Sequence, residues 1–356
     1  NFVKSIIMNE FEYKGFTYSS DDSRLGDKES IKGKSSEPPK LYKYYSYNNF
    51  SIDALRNQYL YASHPYQFND SMDSSWALLD FNKMTENQYD RIWSQIKGSS
   101  FYEKNIKGTY SKDKWEVFEH TRQMFYAFWM KNRGFISLTS THNPLMWAHY
   151  SSERGFAIVL NTESLRKNIV DKNKDIYHHF FAPIQYVEKI ESIDMFEGFN
   201  SPHIPFLIAT NVKRYSWSYE NEWRLRIYKR QMDIPQKKLL FNVEDVKGEY
   251  DRKVYYGREP LEAILLGKYF FCGENTRSFD GKSRIIKLKC KTKKDIDFIR
   301  FINYLHFNFN DRLYLAGELN YKGTFGRDFT RTQLERIDFK TFRIVDCQQL
   351  YPFVEF

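Results

Sequence analysis

Residues 217–227 read WSYENEWRLRI, the most distinctive stretch of the chain. Its alternation predicts a β-strand, in which successive side chains point to opposite faces. One face is apolar and needs a core to cover it: Trp223, Leu225 and Ile227. The other face carries two carboxylates followed by two guanidiniums: Glu220, Glu222, Arg224 and Arg226. This charged face is either a solvated surface of self-neutralising charges or the wall of a cleft, in which Glu222 acts on a ligand that the arginines hold.

The composition is that of a globular protein. The chain has 356 residues, of which 41% are hydrophobic and 28% charged, with a formal net charge of +9. No stretch approaches the roughly 18 to 20 consecutive apolar residues that a membrane helix requires. The three cysteines, Cys272, Cys290 and Cys347, fit neither a disulfide framework nor a zinc cluster, which predicts reduced thiols in a cytoplasm. The positive charge favours phosphate-bearing partners.

The order of the predicted elements indicates a mixed α+β fold, because helices are concentrated early in the chain and strands late. Helices are predicted after the capping-box pattern at 85–88 and over Ser111–Arg133. Strands are predicted at apolar or alternating stretches: Leu41–Tyr45, Phe156–Leu160, Trp223–Tyr228, Leu239–Val243 and Ile285–Lys291. Three regions follow: an N-terminal segment with a flexible linker (1–40), a main domain (41–270), and a basic C-terminal extension packed on that domain (271–356).

Two further motifs have both a structural and a functional interpretation. The first, FNDSMD at 68–73, lies in a predicted loop. Its Asp70 and Asp73 either form turns or provide a carboxylate pair that binds a metal or positions another segment. The second, LMWAHY at 145–150, lies on a predicted helix. Its Trp147 and Tyr150 share one face, so they belong to the core or form an aromatic platform for a flat ligand.

Residues 281–300 contain eight basic and two acidic side chains, a net charge of +6. Lys287, Lys289 and Lys291 are predicted on one face of a strand whose other face, at 286, 288 and 290, is apolar. These lysines either protect an edge strand from aggregation or form a stripe that contacts the phosphates of a nucleic acid.

Several kinds of catalytic and metal site are poorly supported. The eight histidines form no recognisable ligand set. The chain also lacks the zinc-protease, paired-cysteine, phosphate-loop and nucleophile-elbow motifs. We therefore predict no structural zinc site, no P-loop nucleotidase and no serine hydrolase.

Taken in order, a series of short motifs resembles a large bacterial family of uncharacterised domains that are often found among anti-phage defence genes. The series is Leu41-Tyr42-Lys43-Tyr44, Leu60-Tyr61-Ala62-Ser63, Phe68-Asn69-Asp70 with Asp73, Trp147-Ala148-His149-Tyr150 with Gly155-Phe156-Ala157-Ile158, Lys213, Trp217-Ser218-Tyr219-Glu220-Asn221-Glu222-Trp223-Arg224 and Ile264-Leu265-Leu266-Gly267. The resemblance covers about residues 41–267. That family is in turn distantly similar to the ADP-ribosyltransferases, including toxins that modify nucleic acids.

This resemblance implies an ADP-ribosyltransferase-like domain at 41–270, with a split mixed or antiparallel sheet flanked by helices, and NAD as the nucleotide it uses. It implies that Glu222 is the catalytic acid, with Glu220 beside it. The implied NAD-binding positions are Tyr42, Lys43, Trp147, Tyr150 and Arg224. Lys43 stands where those enzymes usually carry His or Arg.

Three classes of function stay open from the residues themselves. The first, which the resemblance favours, is a transferase that moves ADP-ribose from NAD to a nucleic acid or a protein. The second is a metal-dependent nuclease whose ligands are Asp70, Asp73, Glu220 and Glu222. The third is a non-catalytic sensor that binds nucleic acid through Lys287, Lys289 and Lys291. The expected partner is RNA or DNA, a regulatory protein is a further candidate, and no membrane association is expected.

Overall fold

The structure, a computed structural model, describes residues 9–21, 28–111, 114–196, 198–199, 201–230, 232, 251–321 and 324–351, with the backbone alone at 318–321 and 324–326. The chain forms two compact units, each assembled from three stretches of sequence. Unit 1 comprises Asn1–Glu37, Tyr61–Ser137 and Asn173–Val254, and unit 2 comprises Pro38–Leu60, Leu138–Lys172 and Tyr255–Phe356. The units are therefore discontinuous in sequence, whereas the three predicted regions are continuous; one unit boundary, between Glu37 and Pro38, lies close to the predicted boundary at residue 40.

The helices in the described part of the chain are α1 (Asn49–Asn57), α2 (Glu86–Lys97), α3 (Ser99–Asn105), α4 (Trp115–Met130), α5 (Pro144–Met146), α6 (Thr162–Lys172), α7 (His203–Ala209) and α8 (Lys293–Phe309). The strands are β1 (Asn9–Tyr13), β2 (Phe16–Ser20), β3 (Ser30–Lys32), β4 (Lys40–Tyr45), β5 (Tyr59–Tyr61), β6 (Leu79–Asp80), β7 (Arg133–Thr139), β8 (Phe156–Asn161), β9 (Ile176–Pro183), β10 (Gln185–Val187), β11 (Ile193–Asp194), β12 (Val212–Arg214), β13 (Glu222–Lys229), β14 (Lys253–Tyr255), β15 (Leu261–Leu266), β16 (Thr276–Asp280), β17 (Ile285–Leu288), β18 (Leu313–Tyr321), β19 (Thr324–Asp338) and β20 (Thr341–Leu350). No helix among the described residues is long and apolar enough to cross a membrane.

Unit 1 is organised around β13, which pairs antiparallel with β9 and has β7 as its other neighbour. All eight residues of β13 are buried. Helices α2, α4 and α7 supply much of the apolar core: Ile92, Trp93, Phe125, Tyr126, Trp129, Phe206 and Leu207. Phe125 and Trp129 are four residues apart on α4 and therefore share its buried face. Both faces of β13 are thus covered, so the interpretation of its charged side as a solvated surface is wrong.

The region predicted as a flexible linker contributes two strands to unit 1. β2 pairs with β1 and with β3 in an antiparallel sheet. The apolar side chains that make this possible alternate with polar ones, and Tyr18 of β2 and Ile31 of β3 are both buried. The Ser- and Lys-rich composition hides this alternation, because the strands are only five and three residues long.

Glu29, just before β3, is buried in unit 1 and ionised. Its carboxylate accepts hydrogen bonds from Arg133 at 3.0 Å and from Tyr228, and its Oε1 lies 2.5 Å from Nδ1 of His203. Burial alone would oppose ionisation, but the Arg133 guanidinium and the hydrogen bonds from His203 and Tyr228 outweigh it and lower the pKa of Glu29 to about 2. An ionised side chain therefore ties the N-terminal sheet to the core of this unit.

The strands of unit 2 belong to a large mixed sheet, in the order β16-β17-β20-β19-β18-β15-β8-β4. β15 and β18 are parallel, and the other neighbours in this series are antiparallel. Residues 276–350 thus supply five of these strands, in the same sheet as β4 and β8. Helix α8 buries one face through Phe298, Phe301, Ile302, Leu305 and Phe309.

The prediction of a mixed α+β fold is confirmed, while its likeness to ADP-ribosyltransferases stays a prediction. α2 begins where the capping-box pattern predicts it: the Thr85 N–H donates to Gln88 Oε1 at 2.8 Å, and the Gln88 N–H donates to Thr85 Oγ1 at 3.4 Å. The helix predicted over Ser111–Arg133 is real but shorter, because α4 spans only Trp115–Met130. The strand predicted at Leu239–Val243 lies outside the described residues.

Candidate functional site

The two glutamates of the 217–227 stretch do not lie on one strand face. Tyr215–Glu220 forms a 3-10 turn, and β13 begins only at Glu222. Between them Asn221 adopts a left-handed conformation, with φ 41° and ψ 49°, which Asn tolerates better than most residues. The strand prediction is wrong at Glu220, yet the sharp bend directs both carboxylates to one partner.

That partner is Lys213 of β12. Its Nζ lies 2.5 Å from Glu220 Oε2, 3.3 Å from Glu222 Oε2 and 3.7 Å from Asp73 Oδ2. The Trp217 ring, half-buried, covers the ammonium with its centroid 5.0 Å from Nζ. One buried cation therefore holds three carboxylates together.

Arg224, two residues after Glu222 on β13, completes the arrangement. Its Nη1 and Nη2 donate to both oxygens of Asp73 at 2.9 and 2.7 Å, and its Nε donates to Glu222 Oε1 at 2.8 Å. Nη1 also contacts Ser74 Oγ and the Thr210 carbonyl, each at 2.9 Å. Arg224 is fully buried and its donors hold Asp73 and Glu222 in place, while the NAD-binding role that the resemblance implies for it stays a prediction. We call Asp73, Lys213, Glu220, Glu222 and Arg224 the buried ion cluster.

The charges of this cluster stabilise one another. Burial opposes ionisation of Glu222, but Arg224 and Lys213 outweigh it and hold the pKa of its carboxyl far below the usual range. Burial likewise disfavours the charged form of Lys213, and Glu222, Asp73 and Glu220 reverse this and raise its pKa. Glu222 is therefore a carboxylate, and Lys213 an ammonium, throughout the neutral range.

The two aspartates of the FNDSMD motif have different roles, and each matches one of the two interpretations given above. Asp70 makes a turn, because its Oδ1 accepts the Met72 N–H at 2.9 Å. Asp73, 5% exposed, positions another segment through its paired contact with Arg224. Phe68 lies against the same guanidinium, with its ring centroid 5.1 Å away. Two motifs far apart in sequence thus meet at one side chain.

Arg226 lies beyond the cluster and binds neutral groups. It donates to Thr210 Oγ1 at 2.6 Å, to the Thr210 carbonyl at 2.8 Å and to Asn211 Oδ1 at 3.2 Å. Burial lowers its pKa to about 10. Thr210 accordingly bridges Arg224 and Arg226, which fixes the spacing of the two guanidiniums. Sequence reasoning missed Thr210, and it gave Lys213 no role beyond a place in the motif series.

A metal interpretation of these carboxylates meets a specific obstacle. Among the described residues, no group of three His, Cys, Asp or Glu side chains is arranged to hold a metal ion. The space that a divalent cation would need between Asp73, Glu220 and Glu222 faces the Lys213 ammonium. Asp70, the fourth ligand proposed for a nuclease, is engaged in its own turn.

The remaining predicted NAD-binding residues belong to unit 2. Trp147 is fully buried, donates its indole N–H to His142 Nε2 at 3.0 Å, and packs against Phe329. Its ring is fully buried and its polar atom is hydrogen-bonded, so of the two interpretations the open platform is wrong and Trp147 is a core residue. Tyr150 is partly buried in a π-helical turn that spans Trp147–Ser151.

The first-motif positions lie on β4. Tyr42 is 3% exposed, and burial raises its pKa to about 12. Lys43 is half-buried and lies opposite Ile158 of β8. The structure therefore brings together Glu220, Glu222 and Arg224 in unit 1, and it places Tyr42, Lys43, Trp147 and Tyr150 in unit 2.

The predicted lysine stripe is also in unit 2, with a different local structure. β17 ends at Leu288, so only Lys287 lies on the strand, whereas Lys289 and Lys291 follow it. β17 pairs with both β16 and β20, which makes the edge-strand interpretation wrong. Cys290, predicted on the apolar face, is exposed. All three lysines are exposed.

Comparison with known proteins adds one finding. A domain described as "Protein of unknown function (DUF2971)" is found at residues 146–225. This segment contains Lys213, Glu220, Glu222 and Arg224, while Asp73 precedes it by more than seventy residues. No curated protein and no solved structure matched the chain.

Proposed function

We propose that the protein is an ADP-ribosyltransferase that transfers ADP-ribose from NAD to a nucleic acid or protein acceptor. The observation that carries this proposal is the convergence of Glu220 and Glu222 on Lys213, with Glu222 held ionised by two buried cations. A carboxylate that stays charged at neutral pH is what a ribose needs when it becomes positively charged. The motif resemblance gives the same two glutamates this role.

The chemistry follows from the charge states of the cluster. The bond between ribose C1′ and the nicotinamide nitrogen breaks, its electron pair leaves with nicotinamide, and positive charge develops on the ribose. Glu222 stabilises that charge. A nucleophile of the acceptor then forms the new bond to C1′ with its own electron pair, and Glu220 takes the proton it releases. Arg224 and Lys213 act as positioning residues, because they fix both carboxylates before the substrate binds.

The cluster is near solvent at two points. Ser137 hydrogen-bonds to Glu222 and is partly exposed. Trp217 over Lys213 is half-buried, and Tyr219 lies beside it with ring centroids 6.0 Å apart. We assign the substrate approach to this side, where two aromatic rings offer stacking surfaces for a nicotinamide or adenine ring.

The proposed setting is a bacterial cytoplasm, where NAD is present and the three free thiols stay reduced. A role in anti-phage defence follows from the resemblance, and an enzyme of this kind requires restraint by a regulatory protein or by a trigger. A nucleic-acid acceptor agrees with the net charge of +9.

Incubation with NAD labelled in its ADP-ribose part, followed by mass analysis of RNA, DNA and protein, tests the proposal. The wild type should add ADP-ribose to one acceptor class, and Glu222→Gln should reduce the rate by about 10²-fold or more. Glu335→Gln makes the same chemical change at an exposed site on β19 and should leave the rate unchanged. No labelled product from the wild type with any acceptor would refute the proposal.

A further inference from the structure

A cleft of about 710 Å³ opens in unit 2 between β16, the end of β17, the β19–β20 turn and the start of α8. Five basic side chains line it: Arg277, Lys289, Lys291, Lys294 and Lys340. Two acidic residues, Glu274 and Asp295, also line it. We call this feature the lysine cleft.

The acidic residues form no ion pair with the basic side chains of the lysine cleft. Asp295 caps α8, where its carboxylate accepts the N–H groups of Lys291 and Thr292 at 3.0 and 2.9 Å. None of the five basic side chains lies within 4 Å of a carboxylate among the described residues. Since this capping box already satisfies the first donors of α8, the positive character of the cleft comes from its side chains.

Neighbouring basic residues of the same unit behave differently. Arg284 pairs with Asp346 at 3.0 Å, Arg343 pairs with Glu335 at 2.9 Å, and Arg300 pairs with Asp297 at 3.4 Å. Ion pairing is therefore common on this surface but is missing in the described surroundings of the cleft. Five unpaired cations around one concavity raise the local concentration of anions.

An exposed aromatic residue precedes one of these basic residues in the sequence. Phe339 stands in the β19–β20 turn directly before Lys340 and is 47% exposed. An aromatic side chain beside a basic groove is the combination that binds single strands, because the cations contact phosphates and the ring stacks on a base. A paired duplex has no free base to stack on it.

We infer that the lysine cleft binds the phosphodiester backbone of single-stranded nucleic acid, with a base stacked on Phe339. As the place where an acceptor is held, this assignment rests on the transferase function proposed above, although binding is measured without NAD. The cleft differs from the stripe predicted from sequence, because Lys287 lies outside it and Arg277, Lys294 and Lys340 join it.

Fluorescence anisotropy with a labelled single-stranded RNA or DNA of about fifteen nucleotides, measured at several salt concentrations, tests the assignment. Combining Lys289→Ala, Lys291→Ala and Lys340→Ala should weaken binding at least tenfold and reduce the salt slope by about two. The control combines Lys282→Ala, Lys287→Ala and Lys293→Ala, three exposed lysines outside the cleft, and removes the same net charge. Equal losses in both variants would overturn the assignment.

Two further experiments test whether Phe339 stacks on a base of a single strand and whether the oligonucleotide lies in the cleft. Phe339→Ala should weaken single-strand binding about tenfold and leave binding to a duplex of equal length unchanged; equal loss for both would remove the stacking role. Cys290 lines the cleft and is exposed, so in a variant carrying Cys272→Ser and Cys347→Ser its modification by a maleimide should slow when the oligonucleotide binds. Unchanged labelling at saturating oligonucleotide would place the nucleic acid elsewhere.

The two proposals can fail separately. Binding in the cleft without any transfer of ADP-ribose would refute the transferase function alone. Transfer to nucleic acid that the cleft variant performs as well as the wild type would refute the cleft assignment alone.

Discussion

The buried ion cluster of unit 1 and the lysine cleft of unit 2 use the same kinds of cation in opposite ways. Arg224 and Lys213 are buried, and their donors bind Asp73, Glu220 and Glu222. The cations of the cleft have no carboxylate within 4 Å among the described residues. Buried cations therefore fix the charge and position of internal carboxylates, whereas exposed cations attract an external anion. Charge counts in the sequence cannot separate these roles, because burial decides between them.

The largest change in the free energy of unfolding should come from removing a buried cation. Arg224→Met should destabilise the protein by about 3 to 5 kcal/mol, because it leaves the buried carboxyl groups of Asp73 and Glu222 without their partner. The measurement is urea unfolding followed by circular dichroism at neutral pH. Arg300→Ala, at an exposed ion pair on α8, serves as the control and should change the free energy of unfolding by less than about 0.5 kcal/mol. Similar values for both variants would show that the cluster is not a buried, mutually dependent network.

The second effect is the loss of folding stability at low pH when Glu29 becomes protonated. Its folded pKa of about 2 lies below the ordinary value of 4.5, so its stabilisation is complete above about pH 4.5 and is lost as the pH falls towards 2. The shift corresponds to about 3 kcal/mol. Glu29→Gln should therefore be less stable at pH 7 and show a shallower decline in unfolding free energy between pH 5 and 2. Parallel pH profiles for the variant and the wild type would contradict the buried ionised state of Glu29.

Local signals in the sequence predicted much of the fold. The capping box at Thr85 and the apolar alternation of β13 depend on near neighbours, so they can be read without the tertiary structure. The order of strands and the make-up of the two units depend on contacts between distant segments, which no local pattern contains. The short strands β2 and β3 escaped prediction because polar residues interrupt their few apolar positions.

The candidate site shows the same division. Glu220, Glu222 and Arg224 could be grouped because they are adjacent in sequence, but Asp73 is separated from Arg224 by 151 positions. The left-handed bend at Asn221 was not predicted, and it is what turns Glu220 towards Lys213. The sequence could not decide whether Trp147 is a core residue or a ligand platform, because both kinds of aromatic recur at the same helical spacing.

A second pH effect, at higher pH, is expected in unit 2. Burial, with Arg327 nearby, lowers the pKa of His142 to about 4, so its neutral ring accepts the hydrogen bond from Trp147. Because the folded form favours the neutral ring, the contribution of His142 to stability is fully present above about pH 6.5 and is lost as the pH falls towards 4. His142→Gln keeps an acceptor but does not titrate, and should flatten this decline by about 3 kcal/mol in thermal unfolding scans. An unaltered pH profile would show that His142 does not titrate as its burial implies.

The smallest effect on stability should come from the lysine cleft. Lys289→Ala, Lys291→Ala and Lys340→Ala should each change the free energy of unfolding by less than about 0.5 kcal/mol, because their ammonium groups are paired with no carboxylate. Urea unfolding at low and high salt measures this. A loss above 2 kcal/mol for any of the three would mean that the cleft is structural, and the contrast with the buried ion cluster would disappear.

The central claim is that the Glu222 carboxylate stabilises a ribose that loses nicotinamide. The most direct measurement is the rate of nicotinamide release from NAD by wild type, Glu222→Gln and Glu335→Gln, each checked for native unfolding behaviour. We predict that the wild type and Glu335→Gln release nicotinamide at equal rates. A folded Glu222→Gln variant should release it at a rate reduced by about 10²-fold or more. Equal release by a folded Glu222→Gln variant, or none by the wild type, would contradict the account.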